Sequence, residues 1–267
     1  DIEWMLAQVK EPKYRTGFDR NFWIWEEYDP TCNYLMVADV ARGDGEDFST
    51  FHIIELETLS VIAEYQGKPN PDMFAGILNQ TGREFGSCML VVENNNIGYT
   101  VLDKLAEYQY PNLYYSIKST HEYINQHQAE IINSSVAGFS TSMKTRPLII
   151  AKLEEFVRNK LIKIYSARTV NEMRTFIWKN GKPQAMRGYN DDLIMACAVG
   201  CWVRDTALIV NERDVEYKKA FLSSMKNANT MLNTTIPGMT GYNNKSTFDT
   251  MKETKKTMEE FPWLFMG

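Results

Sequence analysis

A chain of 267 residues with 44% hydrophobic content is long enough for one large domain or two small ones around a buried core, and its composition excludes a disordered polymer. The formal net charge of -5 argues at first against a nucleic-acid partner, and the longest strongly apolar helical stretch, Leu193 to Val203, is too short to cross a bilayer. Four cysteines (Cys32, Cys88, Cys197 and Cys201) without Cys-x-x-Cys spacing, beside only three histidines, argue against a zinc site and fit a reducing cytoplasmic setting.

Residues 1–33 are aromatic and polar and read as a lead-in segment, with Phe22-Trp-Ile-Trp25 as one apolar patch. The chain has neither a starting Met nor a basic-then-apolar leader, so it reads as a fragment or a processed product. Tyr34–Asp39, Thr50–Leu56 and Ser60–Gln66 have the pattern of a three-strand meander, broken by the Gly-containing stretch Arg42–Asp47. After Pro69-Asn-Pro71, apolar residues at Met73, Phe74, Ile77 and Leu78 predict an amphipathic helix to about Phe85. Cys88–Val92 is a continuous apolar run, as in a strand buried on both faces.

Ile97–Tyr108 predicts the next helix and Leu113–Ile117 the next strand. Ser119–Met143 has no period and reads as a long surface loop. Pro147 opens a helix to about Asn159, and Leu161–Tyr165 is a short extended piece. Ser166 caps a helix bearing Val170, Met173, Phe176 and Ile177, which ends at the Asn180-Gly181 turn. Asn190 is the expected cap of a last helix, Asp191 to about Asp205, whose apolar face holds Cys197 and Cys201 one turn apart. Beyond about Leu222 the chain is Asn-, Thr-, Ser- and Met-rich, with Phe261–Phe265 as an apolar patch. A meander followed by alternating helices and strands implies an α/β fold, a central mixed sheet flanked by helices.

Three carboxylate positions stand at the ends of these elements: Asp39 and Glu93 close apolar strands, and Asp191-Asp192 begins a helix. Acids gathered in this way repel one another unless cations sit between them. Magnesium and manganese take hard oxygen ligands, and two such ions about 4 Å apart stabilise the attacking and leaving oxygens of a displacement at phosphorus. Two positions have a plainer alternative, Asp39 as the cap of a turn with Gly43 and Gly45 and one of the Asp191-Asp192 pair as a first-turn helix acid, whereas Glu93, closing an apolar strand, must be paired, metal-bound or at the surface. Asn94-Asn95-Asn96 reads as a turn rather than as a set of backbone binders. The charge is also uneven. Lys144 to Arg187 holds eleven Lys and Arg against three Glu, a net of +8, which leaves -13 for the remainder. A basic segment beside an acid cluster suits a phosphodiester substrate, although solvated helix faces have the same charges.

At these residues the chain resembles the C-terminal nuclease domain of the large terminase subunit, the DNA-packaging motor of tailed bacteriophages. The resemblance rests on Val37-Ala-Asp39-Val-Ala-Arg-Gly-Asp-Gly-Glu-Asp47, Val91-Val-Glu93-Asn, Gly138-Phe-Ser-Thr-Ser-Met-Lys-Thr-Arg-Pro147 and Arg187-Gly-Tyr-Asn-Asp191-Asp192-Leu, and covers about Phe22 to Arg204. It implies a ribonuclease-H-like domain over 34–207, with 208–267 as a C-terminal extension. By the same likeness Asp39, Glu93 and Asp192 would be catalytic acids holding two Mg²⁺ or Mn²⁺ ions, with Asp191 and Asp47 as auxiliary ligands. Asp192 is preferred by motif position, and Asp191 competes with it.

The implied activity is an endonuclease that cuts double-stranded viral DNA concatemers at the start and end of packaging, with little sequence preference, in the host cytoplasm. Its implied partners are the portal, the small terminase subunit and an N-terminal ATPase domain of the full-length protein, whose phosphate loop is missing from this chain. Lys118, Lys144, Arg146, Lys179, Lys182 and Arg187 are the candidate phosphate contacts, with surface solubility as an equal alternative. Another ribonuclease-H-like enzyme, a junction resolvase or a transposase or integrase, and a non-catalytic cation-binding packaging module are the rival readings.

Overall fold

In the computed structural model, residues 2–95, 97–117, 123–124, 135–179 and 181–204 are described, and they lie in a unit spanning Asp1–Asn211. The expected lead-in is part of the sheet. After a short helix, α1 (Ile2–Leu6), strands β1 (Tyr14–Thr16) and β2 (Phe22–Ile24) form an antiparallel pair. β2 continues into the core through Phe22↔Tyr65 and Ile24↔Ala63. Trp25 accounts for the difference: its ring is buried and its indole N–H donates to the Lys10 carbonyl at 2.8 Å, so the aromatic patch belongs to the interior.

The meander follows as expected, with β3 (Tyr34–Asp39), β4 (Ser49–Glu55) and β5 (Ser60–Gly67) pairing antiparallel. Helix α2 (Pro71–Glu84) starts where Asn70 accepts the Met73 N–H at 2.8 Å ahead of a proline in the first turn. β6 (Met89–Val92) then runs parallel to β3, and α3 (Gly98–Glu107) returns across the sheet. The predicted loop after residue 117 contains strand pairing. β7 (Tyr115–Ile117), β8 (Tyr123–Ile124) and β9 (Ser135–Ala137) make a small sheet of order β8-β7-β9.

Helix α4 (Thr145–Arg158) begins two residues before the expected Pro147, because Ser142 and Thr145 satisfy each other's backbone N–H groups. β10 (Lys163–Ile164) runs parallel to β5, and α5 (Ala167–Thr175) is capped by Ser166 as expected. That helix stops short of Ile177. Phe176-Ile-Trp-Lys179 becomes strand β11, which pairs with β12 (Lys182–Ala185) across a turn where Gly181 has φ +73°. Aromatic and β-branched residues before an Asn-Gly pair favour a hairpin over a continued helix. The last helix, α6, covers 192–204 of the described residues.

The main sheet has the order β1-β2-β5-β4-β3-β6, with β10 beside β5. Period-two alternation along β3 feeds two cores. Tyr34, Met36 and Ala38 join Phe74, Leu78, Leu102 and Leu105 of α2 and α3 on one face. Leu35 and Val37 join Ile149, Leu153 and Phe156 of α4, with Ile194, Cys197 and Cys201 of α6, on the other. The two α6 cysteines are fully buried, as their spacing suggested. A Cβ on Gly200 would meet Ile54 Cδ1 at 2.5 Å, so α6 lies close against the sheet. By the same alternation Asp39, two residues past Val37, faces the side that carries α6.

Candidate active site

Three separate elements deliver carboxylates to one end of the sheet. Asp39 ends β3, and the parallel register Ala38↔Val92 sets Glu93 beside it, with the Glu93 N–H donating to the Ala38 carbonyl at 2.9 Å. The third acid arrives through β4. Thr50, the antiparallel partner of Asp39, donates its hydroxyl to the Asp192 carbonyl at 3.1 Å, and the Phe48 N–H donates to the Asp192 carboxylate at 2.9 Å. His52, two residues further along β4, contacts the Leu193 carbonyl at 2.9 Å through Nε2. A carbonyl only accepts, so Nε2 carries the imidazole proton, and burial pushes the ring's pKa down and keeps it neutral. The first turn of α6 is therefore fastened to β4 by the Thr50 and His52 side chains and to the residue before it by the Phe48 N–H.

The electrostatics follow from this crowding. Although the residue is partly accessible, Asp39 has its pKa pushed well above the usual carboxylate range, first by desolvation and then by the charges of Glu93 and Asp192. Carboxylates set this close repel one another, and a divalent cation with oxygen ligands relieves that repulsion. Desolvation raises Asp192 to about 6, with Asp47 and Asp191 adding to the rise and the Phe48 N–H opposing it. These residues fit a hard divalent ion. They do not close into a tight cage: among the described residues, the group of ligand atoms within 4.8 Å of one another is Cys32, Glu55 and Glu57. That group lies at the opposite end of β3 and β4, where the Glu57 carboxylate takes the Asn33 backbone and side-chain N–H groups.

Asp191 points elsewhere. It pairs with Arg146 at the start of α4 and accepts the Ala185 N–H of β12 at 3.3 Å. Arg146 is thereby tied up, since its Nε also donates to the Pro183 carbonyl at 3.2 Å. Lys144, Lys179, Lys182 and Arg187 are exposed, whereas Lys118 falls outside the described residues. Asp47 lies in the exposed turn before β4, close enough to Asp192 to raise its pKa.

Asn94, Asn95, Asn190 and Glu172 hold this arrangement, in roles that the sequence did not indicate. Asn94, expected in a turn, is buried and clamps the chain instead: its N–H donates to Phe139 and its side-chain amide to the Ala137 carbonyl at 3.0 Å. Asn95 donates to the Glu93 carboxylate, and Asn96 falls outside the described residues. Asn190 instead donates its amide N–H groups to the Glu46 carbonyl and the Asp192 carboxylate, each at 3.3 Å. The capping is done by Glu172 of α5, which accepts the Leu193 and Ile194 N–H groups at 3.0 and 3.2 Å. Burial pushes the Glu172 pKa to about 8, with the Asp192 and Glu64 charges adding to the rise against the opposing amides.

A stability consequence follows for the metal-free protein. Carboxyls with pKa values raised on folding contribute most below their unfolded values, 3.8 for Asp and 4.5 for Glu, and lose that contribution as pH rises through the folded ones. Melting in EDTA is expected to fall as pH climbs from about 4 through about 6 and on to about 8. Excess Mg²⁺ should flatten the fall, because a ligand bound only by the folded state stabilises it. Melting temperature measured across this pH range with and without Mg²⁺ checks both, and a melting temperature that rises with pH in EDTA would contradict the assignment.

No protein-family model matches the sequence. The fold does have solved counterparts. The large terminase nuclease of thermophilic phage G20c, solved with bound magnesium, matches with a TM-score of 0.54 at 15% identity, over 75% of this chain and 96% of that one. The large terminase nuclease domain of Thermus phage P74-26 matches with a TM-score of 0.52 at 15% identity, over 74% and 92% respectively. The same G20c nuclease with bound cobalt gives a TM-score of 0.53 at 15% identity, over 75% and 96%. The chain has the ribonuclease-H-like fold of these terminase nuclease domains, a mixed sheet with helices on both faces.

Proposed function

We propose that the chain is a divalent-metal-dependent endonuclease that cuts double-stranded DNA in phage genome packaging. The observation that carries this reading is the convergence of Asp39, Glu93 and Asp192, from β3, β6 and α6, at one end of a sheet of terminase-nuclease fold. Asp39, Glu93 and Asp192 would hold Mg²⁺ or Mn²⁺, with Asp47 near the rim. Such ions, when bound, lower the pKa of water and offset charge on the phosphate oxygens. The chain's own residues supply position. Phe48 and Thr50 aim Asp192, and Asn95 holds the Glu93 carboxylate.

The Arg146 ion pair favours Asp192 over Asp191 as the working acid, since a carboxylate already neutralised by a guanidinium is a poor cation ligand. Lys179 and Lys182 support a phosphate partner. They are cross-strand partners at the end of the hairpin, and like charges directly opposite destabilise a sheet unless an anion lies over them. Arg146 is better assigned to holding Asp191 than to contacting DNA.

The test is a supercoiled-plasmid assay with Mg²⁺ or Mn²⁺, an EDTA control, and Asp191→Asn and Asp192→Asn variants. Nicking and linearisation that EDTA stops, and that the Asp192 variant loses while the Asp191 variant retains most of it, are expected. Selective cutting of four-way junctions would favour a resolvase, and absence of cutting by any form would favour a cation-binding assembly module.

A further inference from the structure

We infer that Glu172 is a positioning residue for Asp192, holding the first turn of α6 from the side opposite to β4. The inference rests on the nuclease reading of Asp192 given above. A helix start leaves backbone N–H groups without partners inside the helix, and the Leu193 and Ile194 N–H groups go to Glu172 rather than to the adjacent Asn190. Glu172 takes them from another helix. One of its oxygens, Oε2, is shared by the Leu193 and Ile194 N–H groups at 3.0 and 3.2 Å, and the other accepts the Gln66 amide at 3.3 Å.

The two sides of the turn do different work. From β4 and the residue just before it, Thr50 and Phe48 grip Asp192 itself and His52 grips the Leu193 carbonyl. From α5, Glu172 grips the two N–H groups that follow Asp192 and so fixes the pitch at which the helix leaves the acid. Without Glu172, two amides in a partly buried setting lose their acceptor and the first turn of α6 is held from the β4 side alone, which loosens the aim of Asp192 toward Asp39 and Glu93. An oxygen acceptor is what this position requires, and the Glu172 carboxyl supplies one to both N–H groups without needing its charge. Its oxygens are committed to N–H donors, which distinguishes Glu172 from an additional cation ligand.

Glu172→Ala and Glu172→Gln proteins separate these roles, since glutamine keeps a carbonyl oxygen for the amides but has no charge for a cation. The probes are Mn²⁺ binding by calorimetry, amide hydrogen exchange in the peptide containing Leu193 and Ile194, and the kcat and KM of plasmid nicking. The alanine change is expected to weaken Mn²⁺ binding by about tenfold, as for loss of an outer partner of a metal ligand, and the glutamine change is expected to restore most of that. Exchange at Leu193 and Ile194 should speed up in the alanine protein and stay slow in the glutamine protein, with the loss in nicking falling on kcat. Glutamine as damaging as alanine to Mn²⁺ binding, with exchange unchanged, would overturn the inference in favour of direct ligation. Unchanged exchange and binding in the alanine protein would also overturn it. Failure of the wild type to bind Mn²⁺ or to nick would count against the nuclease reading, while the exchange measurement would still decide whether Glu172 holds the turn.

Discussion

Asp39→Asn is expected to lower plasmid nicking by about a hundredfold to a thousandfold, the scale of losing one preorganised charge-stabilising group, and to raise the melting temperature of the metal-free protein. The two changes have one origin. Desolvation and the neighbouring Glu93 and Asp192 charges make an ionised Asp39 costly in the folded state, and an amide of the same shape removes that charge. Asparagine also keeps an oxygen for the Val40 N–H, which supports the Asp39 side chain. Nicking assays with thermal melts in EDTA, at pH values above 7, check both parts. An Asp39→Asn protein that nicks like the wild type would remove Asp39 from the site, and one that melts lower in EDTA would mean that repulsion does not govern the cluster.

The largest stability effect is expected away from the acids, at Arg168→Ala. Glu64 is fully buried, and its carboxylate is held by Arg168 Nε at 2.7 Å, Ser166 Oγ at 2.7 Å and the Thr169 hydroxyl. The Arg168 guanidinium also stacks over Trp23, 3.8 Å from its ring centre. Its removal leaves a buried carboxylate without a counter-ion, which costs about 3–5 kcal/mol. Chemical denaturation should show that loss, and a combined Glu64→Leu, Arg168→Met protein should recover part of it because both charges then go. A loss below about 1 kcal/mol, typical of an exposed pair, would mean that water reaches Glu64 in solution.

The elements with a clean period were legible in the sequence. β3 and β6 read as apolar runs ending in acids, and both runs are buried, with the acids beside each other. What escaped depends on contacts between distant residues. Nothing near Asp191-Asp192 distinguishes the two acids; the distinction comes from Arg146, forty-five positions earlier in the chain. Glu172 looked like one charge on an amphipathic helix, because the amides that it caps lie 21 and 22 residues away. Asn94 resembled a turn residue since asparagine favours turns locally, while its actual acceptor, Ala137, is supplied by β9. The hairpin was hidden by a stripe of apolar residues that suits a helix until Phe176, where the β-forming residues and Gly181 prevail. The signal that could have revealed it was the Asn180-Gly181 pair read as a hairpin turn rather than as a helix stop.

The contact between the Phe48 N–H and the Asp192 carboxylate joins residues 144 positions apart. Contacts of such sequence separation raise the contact order of the site above that of the local meander. During synthesis, a chain that has emerged only as far as α5 holds Asp39 and Glu93 without Asp192. The cluster is thus complete only when the sheet, α5 and α6 are all in place.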